Sequence, residues 1–268
     1  MQRKKLMPVL GLIVIGGLLQ AAPTTLRVKV TNLAPAGGTF ITPVWVGFHD
    51  GTFDLYDAGS PASAALERMA EDGDLAGIMG SFSGAAQGAL FGPAIPPIGP
   101  GEMSVMDFTV DLMAGGYFSY ASMIIPSNDA FIANGNPMAH SLMNAMGHFT
   151  PLDIMISGMM VLDAGTEVND EIPANTAFFG QMKPNTGMNE NGVIHLHPGF
   201  LAPGSGGILD AAMFANADFK ARGYQVARIT VSEVPEPGSL ALAAIGLVAA
   251  AGVARRRRTL GHVVNHRA

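Results

Sequence analysis

The sequence predicts an all-β fold: an antiparallel β-sandwich with one short helix, preceded by a signal peptide and followed by a single apolar helix. Three observations carry this. Apolar and polar residues alternate with period two in several stretches, as in half-buried strands. Gly and Pro number 34 and 18 while only 13% of residues are charged, which suits a loop-rich β fold better than a helical bundle. Only one stretch, 60–73, joins a capping residue, an apolar stripe at helical spacing and a Gly stop. No repeat period is evident, and the simplest division is one domain over 24–232.

The strands follow in order. In 24–33, Leu26, Val28 and Val30 share one face, and Arg27, Lys29 and Thr31 the other. Phe40 to His49 reads as one strand, with Trp45 as a core anchor. Ser60 and Pro61 open the helix, Leu66 and Met69 give its buried stripe, and Glu67, Arg68, Glu71 and Asp72 face out. The Gly-, Ala- and Pro-rich stretch 77–100 reads as strand fragments and a long loop. Glu102 to Asp111 alternates, with a phase slip near Met106 that fits a bulge. It pairs as a hairpin with Tyr117 to Ile125 through Met113–Gly116. Phe53 to Tyr56 is a short extended piece, Phe131 to Gly135 follows the turn at 126–129, 155–162 is an apolar run, and 177–182, 192–197 and 224–231 are the last strand candidates.

Both ends read as addresses. Gln2-Arg3-Lys4-Lys5, the apolar run 6–19 and Leu19-Gln20-Ala21 form a signal peptide over 1–21. The alternative is an uncleaved anchor, although the run falls short of the ~20 residues of a spanning helix. At the other end Pro235-Glu236-Pro237 precedes an apolar run, 239–254, and then Arg255 to Arg258. This arrangement over 235–258 resembles the PEP-CTERM sorting signal of Gram-negative bacteria. The resemblance implies transient anchoring in the inner membrane with the Arg cluster inside. It also implies processing near Pro235–Pro237 by an exosortase-type enzyme, then release to the cell surface or beyond, often alongside extracellular polysaccharide. A tail of ten residues, 259–268, departs from the usual pattern, and a permanent single-span protein is the alternative.

The chain has a formal net charge of −6, with its basic residues concentrated at the two ends, which argues against a nucleic-acid partner. It has no cysteine, hence no disulfide framework or thiol chemistry. Asp163-Ala164-Gly165-Thr166-Glu167 sets two carboxylates four apart around a turn-prone pair. Locally this fits either a solvated acidic turn or a loop of hard oxygen ligands for calcium.

Four places resemble the spondin domain, the N-terminal module of the F-spondin and mindin matrix proteins, which has a bacterial branch. They are the first strand ending in Thr31-Asn32, the helix of 60–72, the segment Met123 to Phe131, and Asp163 to Glu167. The resemblance implies an antiparallel β-sandwich with one calcium ion at its end, held by Asp129, Asp163 and Glu167. Ala130 stands where the animal proteins carry an aromatic residue, and Glu167 where they carry Asp.

Two other constellations bear on metals. Met138, His140, Met143, Met146 and His148 fit copper(I) or a gap-filling loop. His195 and His197 share a strand face, which fits either a metal pair or a solvent-facing polar face. Gly80-Ser81-Phe82-Ser83-Gly84 is not a nucleophile elbow, and no dinucleotide or phosphate loop is present. The expected function is a non-catalytic, calcium-stabilised surface or matrix module that binds an extracellular polysaccharide or surface protein. The rival is a secreted metal-binding or hydrolytic protein using His195 and His197 or the Met138–His148 region.

Overall fold

A computed structural model describes residues 23–94 and 96–235. The expected signal peptide and the apolar run with its Arg cluster lie outside the described residues. Among the described residues, no helix is long and apolar enough to cross a membrane.

The described chain is mostly β. In order it forms β1 (Thr24–Asn32), β2 (Phe40–Ile41), β3 (Val44–His49), helices α1 (Ala64–Asp72) and α2 (Ala76–Ser81), and β4 (Ala86–Leu90). Then come β5 (Met103–Val110), β6 (Tyr117–Ile125), β7 (Ala130–Ala133), β8 (Leu152–Ser157), β9 (Leu162–Asp163), β10 (His195–Leu196) and β11 (Gln225–Glu233). One sheet runs β5-β1-β11-β8; the larger runs β10-β9-β7-β6-β3-β4, with β2 beside β6. All these pairings are antiparallel.

Two cores follow from the two faces of the larger sheet. Leu26, Val28 and Val30 from the small sheet meet Val44, Val46, Phe48, Phe118, Tyr120 and Ile124 from the large one. Full burial of each such aliphatic side chain contributes about 1.5–3 kcal/mol. On the other face Trp45, Ala121, Met123 and Phe131 pack against Leu66, Met69 and Ile78 of the two helices. In β6 the even positions thus serve one core and the odd positions the other. Trp45 is wholly buried, and its Nε1 donates to Gln87 Oε1 at 3.0 Å.

Several sequence expectations are corrected. Phe40 to His49 is two strands, because Thr42-Pro43 interrupts it and proline cannot donate to a ladder. β5 and β6 are not a hairpin: β5 pairs with β1, β6 with β3 and β7, and 111–116 crosses between sheets. The Asp111 carbonyl, which accepts Ala114 N–H and Gly115 N–H, turns that crossing. No bulge breaks β5; its register with β1 is continuous. Its inward face is Ser104, Met106, Phe108 and Val110, leaving Met103 and Val105 half exposed. The first helix begins later than expected, with Ser63 as the cap, whose Oγ accepts Leu66 N–H at 3.2 Å. A second helix, α2, stands where strand fragments were expected. Residues 177–182 form no strand; Phe178 has a left-handed φ of 61°, which ends extension after the bridge Ser127–Ala177.

Candidate metal centre

Antiparallel pairing at one edge of the large sheet gathers the acidic residues. Asp129 immediately precedes β7. In β9, Asp163 lies opposite Ala130 on one side and His195 on the other. His197 follows two residues later, its N–H donating to Val161 O at 3.0 Å. Asp129, Asp163 and His197 each offer a ligand atom within 4.8 Å of the others, and all three are buried.

The side chains are individually held. Asp129 Oδ2 accepts Thr166 N–H at 2.9 Å and Glu167 N–H at 3.2 Å. Its Oδ1 is buried without any hydrogen-bond partner. Asp163 Oδ1 accepts Gly165 N–H at 2.8 Å, and its Oδ2 accepts Asn169 Nδ2–H at 2.5 Å. Gly165 has a φ of 67°, and a Cβ there would meet Val193 N at 2.6 Å, so this bend needs glycine.

Glu167 lies outside the trio. Its Oε1 accepts Gly187 N–H at 2.6 Å, and its buried Oε2 has no partner. A Cβ on residue 187 would sit 2.0 Å from the Glu167 carboxyl carbon, so Gly187 cradles that group. Glu171 serves as a staple: Oε1 accepts Leu201 N–H at 2.5 Å and Oε2 accepts Ile208 N–H at 2.8 Å.

Burial pushes the Asp129 carboxyl up to about 7, helped by the neighbouring Asp163 charge and opposed by the Thr166 and Glu167 amides. Glu167 is likewise pushed up to about 7, by burial first and then by Glu71, with the Gly187 amide opposing. Such shifts mark charge that lacks compensation. A divalent ion would supply it, and the hard oxygens present, including an orphaned one, fit calcium.

His197 fits less well. Burial pushes its pKa down, with the Asp163 charge opposing. Its Nδ1 accepts Gly199 N–H at 3.0 Å. That leaves Nε2 to donate to Asn169 Oδ1 at 3.0 Å. Both ring nitrogens are therefore in use. The expected common strand face of His195 and His197, whether a metal pair or a solvent-facing face, is corrected: His195 is exposed and His197 buried, because the chain leaves the strand after Leu196 and tucks under Phe200 and Phe219. In the Met–His segment, Met138 and Met146 are exposed, while His140 lies against Tyr120 at 5.9 Å.

Two features escaped the sequence. Glu71, expected to face out, is 2% exposed, because it lies on the flank of α1 covered by the loop after β9. His49, Ser119 and Asn134 form a buried chain. His49 Nδ1 accepts Gly51 N–H at 3.0 Å, so Nε2 donates to Ser119 Oγ at 2.9 Å. Asn134 Nδ2 also donates to Ser119 Oγ, at 3.0 Å. Here the imidazole N–H donates a hydrogen bond to the serine oxygen rather than accepting one from it, and the chain packs the interior.

The body ends where the address begins: β11 closes at Glu233. Residues 233–258 match the PEP-CTERM protein-sorting motif. The chain is therefore an exported protein, carrying a substrate signal for exosortase-type processing and destined for the surface or extracellular space. No curated protein matches the chain.

Proposed function

We propose that the exported body is a non-catalytic surface or matrix module, similar to a spondin domain, in which calcium clamps one end of the sheets. Asp129, Asp163 and Glu167 hold the ion. The observation that carries this reading is Asp129 Oδ1, a buried oxygen with no partner, on a carboxylate that comes within 4.8 Å of the buried Asp163 carboxylate. Leaving such an oxygen uncompensated is costly, and an exported protein meets abundant calcium. The clamp ties the turn before β7 to the loop after β9 and presents an extracellular polysaccharide or surface protein with a fixed loop surface. Calorimetric titration of calcium into the chelator-stripped protein tests it. Loss of one bound calcium in Asp163→Ala supports the clamp, and no binding at millimolar calcium, or binding unchanged in that variant, ends it.

The second reading is a transition-metal site of Asp129, Asp163 and His197, favoured by their mutual 4.8 Å reach. Zinc binding that outcompetes calcium and disappears in His197→Ala selects it, and hydrolytic screens on esters and polysaccharides would then follow.

A further inference from the structure

We infer a second divalent-cation position, between Glu71 on the last turn of α1 and Glu167 on the loop after β9, which gives the sheet edge two neighbouring cations. The inference rests on the calcium reading above for its first position only.

Two orphaned oxygens define the place. Glu71 Oε2 and Glu167 Oε2 are both buried and both lack any hydrogen-bond partner, on side chains each 2% exposed. Glu167 is turned to leave Oε2 free, because Gly187 N–H holds Oε1. The two glutamates are charged neighbours, and Asp129 is also a charged neighbour of Glu167.

Charge balance then asks for more than one ion. Asp129, Asp163, Glu167 and Glu71 are four buried carboxylates along one junction. One divalent ion offsets two of them. The nearest basic side chain is already engaged: Arg68 pairs with Asp72 at 2.5 Å. Among the described residues, no Lys or Arg forms an ion pair with Asp129, Glu71 or Glu167. An ion held by Asp129, Asp163 and Glu167 leaves the Glu71 oxygen uncompensated.

Open space lies nearby. A cavity of about 160 Å³ lined by Glu67, Gly165, Thr166 and Asn189 opens where α1 meets this loop. Carboxylates from a helix and a loop, completed by water to six to eight oxygens, suit calcium better than octahedral magnesium.

Equilibrium dialysis of calcium against the chelator-stripped exported protein reads the number of ions. The expected result is two per chain, falling to one in Glu71→Gln and to one in Asp163→Asn. One ion per chain, unchanged by Glu71→Gln, overturns the second position and leaves the first standing. No ion at all overturns both. Two ions retained in Glu71→Gln also overturns this assignment. The wild-type count needs no variant, so a Glu71→Gln protein that failed to fold would still leave a count of one as decisive.

Discussion

Asp129 Oδ2 accepts the backbone N–H of Thr166 at 2.9 Å across a sequence separation of 37 residues. This bond fixes the loop after β9 to the turn before β7. It also uses only one face of the carboxylate, turning Oδ1 into a buried space where no protein donor meets it. The loop is thus organised around a charge that the protein does not itself neutralise.

Asp129→Asn separates these two roles. The amide oxygen still accepts the Thr166 and Glu167 amides, while the buried charge beside Asp163 is gone. Without metal, the variant is expected to melt at or above the wild-type temperature. With calcium at a hundred times its Kd, one bound ion gives the wild type about 2.7 kcal/mol, or roughly 5–10 °C for a body of this size, and the variant loses that increment. Differential scanning calorimetry with and without chelator makes the comparison. A full calcium increment in the variant would exclude Asp129 as a ligand.

The pH dependence of the metal-free protein has a definite sign. Asp129 and Glu167 are raised to about 7 in the fold, whereas unfolded carboxylates titrate near pH 4. Between those values the folded chain keeps protons the unfolded chain has lost. Stability from these groups is therefore present below about pH 4 and is lost as pH rises to about 7. Chelated protein should melt lower at about pH 8 than at about pH 5, and saturating calcium should close the gap. Equal melting at both values in chelator would show that neither carboxyl is held protonated.

Much of the small sheet was legible because period two speaks directly where one face is buried and the other wet. Leu26, Val28 and Val30 against Arg27 and Lys29 show it, with Arg27 reaching Asp107 on the neighbouring strand. The pattern fails in β3 and β6, where both faces are buried and alternation divides one core from another rather than core from solvent. That is why 40–49 ran together and β6 was joined to the wrong neighbour. At the site, Asp129 and Asp163 were legible as motif acids. His197 was a candidate only as a pair with His195, and Glu71 was expected in solvent, since only long-range pairing of β9 with β10 and the covering of α1 by a loop bring the two to this place. A helical stripe counts only what a helix packs on its main face, and Glu71 is buried on its flank.

Glu171 should prove a structural hub without being a ligand. Its two oxygens satisfy the N–H groups of Leu201 and Ile208, and its backbone is left-handed with φ 52°. Glu171→Ala leaves two inward N–H groups unpaired, at about 1–3 kcal/mol each. Hydrogen exchange at the Leu201 and Ile208 amides should accelerate well beyond that at β1, while the calcium increment survives. Unchanged protection at both amides would mean water replaces the carboxylate at no cost.

The junction between body and address predicts where the exported protein can be cut without harm. Leu26 lies opposite Glu233 in the β1–β11 register, and Val234 N–H still donates to Thr25 O at 2.8 Å. β11 sits between β1 and β8, so every residue up to 233 is held inside a sheet. Processing near Pro235–Pro237 therefore leaves the whole of β11 in place. A variant ending at Pro235 should melt at the temperature of the naturally processed protein, and mass spectrometry of the latter should place its new C-terminus close to that residue. Ending the chain at Ile229 instead deprives Leu26 to Lys29 of their partners on one side and opens the core beneath Val231. That variant should lose cooperative melting. If it melted like the processed protein, β11 would not be the closing strand of the body, and the boundary between fold and sorting signal would lie upstream of residue 230.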